Sequence, residues 1–331
     1  MKSCYAAMIL FSVAFVSPFF GGSAGAGQAA EQLTVEIALP DDGVFGLGGQ
    51  YLIDKGLDKK NGFIIKPRWA PVAEAEKLLA IGALPLGLAT AESAVRANLN
   101  NIPIRLIQPY MTPHNSVVVR KDAPYKSLKD LKDKPFAVPP EVTSAYNNFD
   151  YIMKKQGINI EKFYQLKKLG APGMYALLER GEVEAVYSWE AHVSKLLVTG
   201  KYRVLVSPRD EMNRLLNTKV KILGWVGALD SWIAKNQPFI PKFRAAWQEM
   251  IKGVQSDEEH FKKYGKKFFG LETPDELELG WTRTRQFLLP PDFPWPDKLN
   301  LDIEKRYLKE SVELGIFAKE GLGVIDAMFV P

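Results

Sequence analysis

ALLERGEVEAVYSWE, residues 176–190, decides the fold. Met174, Leu177 and Leu178 share one face of a helix read over PGMYALLERG, and Gly181 follows it. Val183–Ser188 is a short β-forming run, and Trp189 and Glu190 leave it side by side. A helix returning to a strand is half of an α/β unit. A large aromatic and a carboxylate at a strand's exit are either surface punctuation or the wall of a pocket beyond its carboxyl end.

The same alternation runs upstream. LTVEIAL (33–39), FIIKPRW (63–69), LPLGLAT (84–90) and IPIRLIQP (102–109) read as strands. Between them lie helical segments around 45–56, along Val72, Ala75 and Leu79 up to Gly82, and in the small-residue stretch after 90. The β-α-β-α-β-α-β order predicts a largely parallel sheet. NSVVVRKD (115–122) adds a strand, and Ser127 with Asp130 forms a capping box opening a helix in SLKDLKD. PFAVPP is a short strand, Tyr146, Phe149 and Met153 lie on one face of a helix ended by Gly157, and Phe163–Leu169 is a further strand. YRVLVS (202–207) and VKILGWVGAL (220–229) add further strand signals, and a second α/β unit occupies roughly 120–220. The rest is mostly helical, with a stripe of Phe243, Trp247, Met250 and Val254, another of Leu301, Leu308 and Val312, and a Pro-rich connector over 288–296.

The chain has 331 residues, 47% apolar and 24% charged, with net charge +5. That is ample for two domains with their own cores. The charge is dispersed in Lys-Lys pairs among carboxylates, with no long basic block and interleaved aromatics, which reads against a nucleic-acid groove. Residues 1–26 stand apart: Lys2, the apolar run AAMILFSVAFV, Pro18 and then Ala24-Gly25-Ala26, an A-x-A cleavage pattern. The expectation is a signal peptide, too short for a comfortable span, whose removal takes the only cysteine, Cys4, with it.

DAPYKSLKDLKDKPFAV, TSAYNNFDYIMKKQGI and ALLERGEVEAVYSWE, in this order behind KLLAIGALPLGLATAESAV, resemble the periplasmic solute-binding proteins of ABC transporters. They are most similar to the branch serving sulfonates, taurine, nitrate and thiamine pyrimidine precursors. The resemblance covers about 33–320. It departs at Pro85, where the family has an aspartate, and at Ala191, where it has a proline. It implies a type II periplasmic-binding-protein fold: two Rossmann-like α/β lobes joined by two crossing strands, with a helical C-terminal tail. The expected organisation is a signal peptide over 1–26, one lobe from 27–114 and 223–331, and the other from 115–222. Expected partners are a small-molecule ligand and an ABC permease with its ATPase. The protein is expected to be a periplasmic monomer that touches the membrane complex only peripherally and uses no cofactor.

With ligands expected beyond the carboxyl ends of strands, the candidate binding residues are Asp41 and Phe45 after the first strand and Thr90 and Glu92 after the third. Tyr110 lies near the first crossing, and Thr143, Ser144 and Tyr146 lie at a helix start in the second unit. Trp189, Glu190 and Trp225 complete the set. Turn formation, helix capping and core packing are the competing roles for each. No H-E-x-x-H, G-x-S-x-G or P-loop appears, so no catalytic residue is expected. GLGG at 46–49 lacks the third glycine of a dinucleotide fingerprint. Aromatics beside carboxylates favour an amine or nitrogen heterocycle. An alkyl sulfonate, taurine or nitrate is the alternative, and a secreted enzyme or sensory module is the alternative of another class.

Overall fold

A computed structural model describes residues 33–330 apart from Val142, so the expected signal peptide lies outside the described residues. The first unit runs β1 (Leu33–Pro40), α1 (Gly43–Asp54), α2 (Leu57–Lys60), β2 (Phe63–Ala70), α3 (Val72–Ala80), β3 (Leu86–Thr90), α4 (Ala91–Leu99) and β4 (Ile104–Met111). The second runs β5 (Asn115–Arg120), β6 (Pro135–Val138), α5 (Ser144–Lys154), α6 (Ile160–Phe163), β7 (Gln165–Lys168), α7 (Ala171–Arg180), β8 (Ala185–Trp189), α8 (His192–Val198), β9 (Tyr202–Val206) and α9 (Pro208–Leu215). The chain then returns through β10 (Gly224–Leu229) and α10 (Asp230–Lys235). It ends in α11 (Phe239–Ser256), α12 (Glu258–Phe269), α13 (Pro274–Thr284), α14 (Lys298–Glu313) and α15 (Leu322–Ile325).

Two five-stranded sheets result, ordered β2-β1-β3-β10-β4 and β7-β6-β8-β5-β9. Both are mixed: in each, four strands share one direction, as the sequence predicts, and one runs against them. β10 runs antiparallel to β3 and β4, and β5 antiparallel to β8 and β9, because each joins its sheet after a crossing. This is the two-lobed fold of periplasmic binding proteins with a helical C-terminal region.

The crossings position everything that follows. β4 ends at Met111 and β5 begins at Asn115, so three residues separate the carboxyl end of a strand in the first sheet from the first strand of the second. Asn115 lies opposite Trp189 and Gly224 opposite Thr90 and Met111, so β5 and β10 both begin level with strand carboxyl ends. From Met111 to Asn115 such a link spans at most about 14 Å. The carboxyl edges of the two sheets therefore face each other across a narrow gap, and α1, α3, α4, α5, α7 and α8 start at that gap.

Local corrections have local causes. SLKDLKD makes only a 3-10 turn, Leu128–Leu131, though Ser127 and Asp130 do form the capping box. The run 220–229 is strand only from Gly224. The Lys221 N–H donates to Asn213 Oδ1 (3.0 Å) and the Ile222 N–H to Glu304 Oε1 (2.9 Å), so neither donor is available to a ladder. Phe243, Trp247, Met250 and Val254 are all buried, as their spacing predicts, on the face α11 turns to α1 and β4.

Candidate functional site

The gap begins at residues that follow β1. Asp41 is exposed, and its N–H donates to Ala70 O (2.9 Å). Asp42 reaches across to the second lobe, where its Oδ2 lies 3.5 Å from His192 Nε2 at the start of α8. Phe45 turns inward instead, packing edge-on to Tyr110 at 4.9 Å and against Trp247 at 5.4 Å. Tyr110 is thus a core ring, and burial drives its hydroxyl pKa well above the usual value.

After β3, Thr90 caps α4: its hydroxyl accepts the Ser93 N–H (3.1 Å) while Ser93 Oγ accepts the Thr90 N–H (2.9 Å). Glu92 is 1% exposed. Its Oε1 accepts a hydrogen bond from the Tyr307 hydroxyl of α14 (2.7 Å), which also lies 2.9 Å from Asn148 Oδ1 in α5. One phenolic proton serves two acceptors from opposite lobes. Glu76 of α3 and Glu304 of α14 also face Glu92. Burial and the adjacent Glu92 carboxylate, partly offset by Arg96, push the Glu76 carboxyl up to about 7. Glu304 has its own cation, Lys221 Nζ at 2.7 Å, and both side chains of that pair are 1% exposed.

In the second lobe Thr143 caps α5, accepting the Tyr146 N–H (3.2 Å) and donating to Pro140 O (2.7 Å), and Ser144 is the first helical residue. The Tyr146 hydroxyl donates to Glu161, away from the first lobe. Tyr146 nonetheless lines an open groove of about 490 Å³ with Arg96, Asn147, Lys168 and Ile316, where residues of both lobes meet. A second groove, about 620 Å³ and lined by Arg120, Lys121, Lys201 and Tyr202, lies at the opposite end of β5, away from the gap.

Trp189 is half-buried, packed on the second-lobe core and edge-on to His192 at 5.7 Å. Glu190 is completely buried. Its Oε1 accepts from Arg283 Nε (2.8 Å) and a second guanidinium nitrogen (2.6 Å), its Oε2 from Ser194 (2.8 Å), and its N–H donates to His114 O (3.0 Å). It is therefore a tie from β8 to α13. Trp225 is also fully buried, its ring flanked by Trp295 at 4.8 Å and Phe329 at 5.6 Å. His114, in the first crossing, is held down to about 4 by burial and the neighbouring His192.

The structure thus brings Asp41, Thr90, Glu92, Thr143, Ser144, Trp189 and Glu190 to the facing edges. It sends Phe45, Tyr110 and Trp225 into cores, and turns Tyr146 toward the groove. Sequence reading misses Glu76, Asn148, Tyr187, Arg283 and Tyr307. Asn148 sits beside the apolar stripe of α5, and Tyr187 occupies an inward position of β8, so position relative to the periodic pattern was the available signal. Tyr307 and Arg283 reach the gap only through tertiary packing.

Residues 51–256, more than half of the chain, match the family model described as NMT1/THI5 like. No curated protein matches the sequence. Among solved structures, the periplasmic aliphatic sulphonate binding protein SsuA from Escherichia coli superposes with a TM-score of 0.71 at 19% identity, over 89% of this chain and 97% of that one. The alkanesulfonate-binding protein SsuA from Xanthomonas axonopodis pv. citri, bound to MOPS, gives 0.71 at 15% identity, over 91% and 99%. A Candida albicans gene product described as having the generic periplasmic binding protein fold gives 0.62 at 15% identity, over 90% and 96%.

Proposed function

Because the chain belongs to the NMT1/THI5-like family, we propose that it is the exported solute-binding component of an ABC importer, capturing a small organic solute between its lobes. The observation that carries this reading is the opposition of the two carboxyl edges across the crossing at 112–114. Strand carboxyl ends and helix N-termini are where α/β sheets bind ligands, and here two such edges converge. Residues 27–114 with 223–331 make one lobe and 115–222 the other. Rotation about the two crossings admits and encloses the solute.

The preferred solute is an amine or nitrogen heterocycle. Asp42, Glu76 and Glu92 supply acceptors along the gap, and Trp189 supplies an aromatic face. A sulfonate-type anion is the second reading. It is favoured by the sulfonate-binding proteins among the solved structures of this fold and by the helix N-termini that line the gap, whose N–H groups suit anions.

A thermal-shift screen of protein lacking residues 1–26, run against sulfonates, taurine, nitrate, aromatic acids and pyrimidines, tests both. A solute at a hundred times its Kd stabilises by about 2.7 kcal/mol. Hits confined to sulfonates would replace the preferred reading with the second. Normal uptake of every hit in a deletion strain would remove the importer role.

A further inference from the structure

Glu92, Asn148 and Tyr187 come from α4, α5 and β8, on opposite sides of the gap, and each is at most 1% exposed. Their hydrogen bonding is incomplete. Asn148 Nδ2 and the Tyr187 hydroxyl have no partner among the described residues. Turning the Asn148 amide over would leave its oxygen short instead, so one amide atom stays unpaired either way.

The Glu92 carboxylate makes its side-chain hydrogen bond to a neutral phenol, Tyr307. Lys221 bonds Glu304 and the Ile222 carbonyl, and Arg96 donates to Asn147 Oδ1 at 2.9 Å. Glu76 and Glu304 are further carboxyl groups coupled electrostatically to Glu92, Glu76 with a raised pKa and Glu304 already paired with Lys221. A place in the first turn of α4 suits a carboxylate at an exposed helix end. It does not account for one buried completely between two others, beside unused polar groups. Native structures rarely leave such groups unpaired, and each one asks for an explanation.

Resting on the solute-binding reading above, we propose that Glu92, Asn148 and Tyr187 form the subsite for the nitrogenous end of the solute. The group that binds there is a protonated amine or other N–H donor. Glu92 meets its charge or its N–H, and the Asn148 amide and Tyr187 hydroxyl complete its hydrogen bonds. Any anionic group on the same molecule points away from these carboxylates.

Matched probes test this in calorimetry: taurine against ethanesulfonate, and 4-aminopyrimidine against pyrimidine. In the wild type the N–H-bearing member of a pair binds at least tenfold more tightly. In Glu92→Gln the preference falls below about twofold, whereas Glu74→Gln, an exposed carboxylate of the same lobe, keeps it. A ligand-free readout runs in parallel. Gln still accepts from Tyr307 but removes the buried charge, so Glu92→Gln melts at or above the wild-type temperature. A preference retained in Glu92→Gln, or a lower melting temperature for that variant, overturns the subsite. If none of the four probes binds, the solute classes proposed above fail, and the melting comparison alone decides whether Glu92 is held for a ligand.

Discussion

Glu190 sits at 0% exposure, and a carboxylate there is stable only because Arg283 meets it with two guanidinium nitrogens and Ser194 covers the second oxygen. Arg283 is itself three-quarters covered, with a side-chain exposure of 25%. Removing one partner of such a pair strands the other charge. Arg283→Ala is therefore expected to cost about 2–4 kcal/mol in urea unfolding. Arg283→Met combined with Glu190→Gln should recover most of that loss, because it removes both charges together. If the single variant costs under about 0.5 kcal/mol, the pair behaves as a surface bridge instead. Trp189, one residue earlier, keeps part of its ring free beside His192. Trp189→Ala is expected to weaken the identified solute by about 1–3 kcal/mol in calorimetry without altering the fold. Unchanged affinity with a lowered melting temperature would assign Trp189 to packing.

The element that ties the lobes together is α14. Ile303, Leu308 and Val312 bury one side of it. Its polar residues reach both lobes: Tyr307 to Glu92 and Asn148, Glu310 to the Tyr151 hydroxyl (2.5 Å) and Lys155 Nζ (2.9 Å), and Arg306 to the Leu216 carbonyl. Any opening of the gap must break one set of these bonds. Tyr307→Phe with Glu310→Ala is expected to raise the radius of gyration of ligand-free protein in small-angle scattering. A radius equal to wild type would show that α14 does not hold the edges together.

For the molecule as a whole, two titratable groups, both partly covered, oppose each other with pH. His114 has its pKa lowered from 6.5 to about 4, so its contribution is complete above about 6.5 and is lost as pH falls toward 4. Glu76 has its pKa raised from 4.5 to about 7, so its contribution is complete below about 4.5 and is lost as pH rises through 7. Between those limits the unfolded chain carries the His114 proton and the folded chain the Glu76 proton, so the two slopes cancel. Wild-type stability is expected to change less between pH 5 and 6.5 than that of either single variant. Glu76→Gln should uncover a rise with pH of up to about 2 kcal/mol over that window, and His114→Gln a fall of similar size. Urea midpoints at pH 5 and pH 6.5 check this, and parallel pH profiles for all three proteins would contradict it.

What the amino-acid order determined by itself is local. The strands from Leu33 to Thr90, the Ser127–Asp130 capping box, the Gly157 and Gly181 stops and the α11 stripe follow from period and cap chemistry within a few residues. So did the prominence of Trp189, Glu190 and Glu92, because residues just beyond a strand's carboxyl end lie at an edge whatever the sheet order. Only the tertiary structure decided what those residues touch. Glu190 meets a guanidinium 93 positions away, and Glu92 a phenol 215 positions away. Trp225 is walled in by rings from the last forty residues rather than facing the gap, because β10 inserts antiparallel between β3 and β4. Local periodicity reports which face of an element is apolar. The partner of that face, and of every buried charge, is set by where distant segments pack.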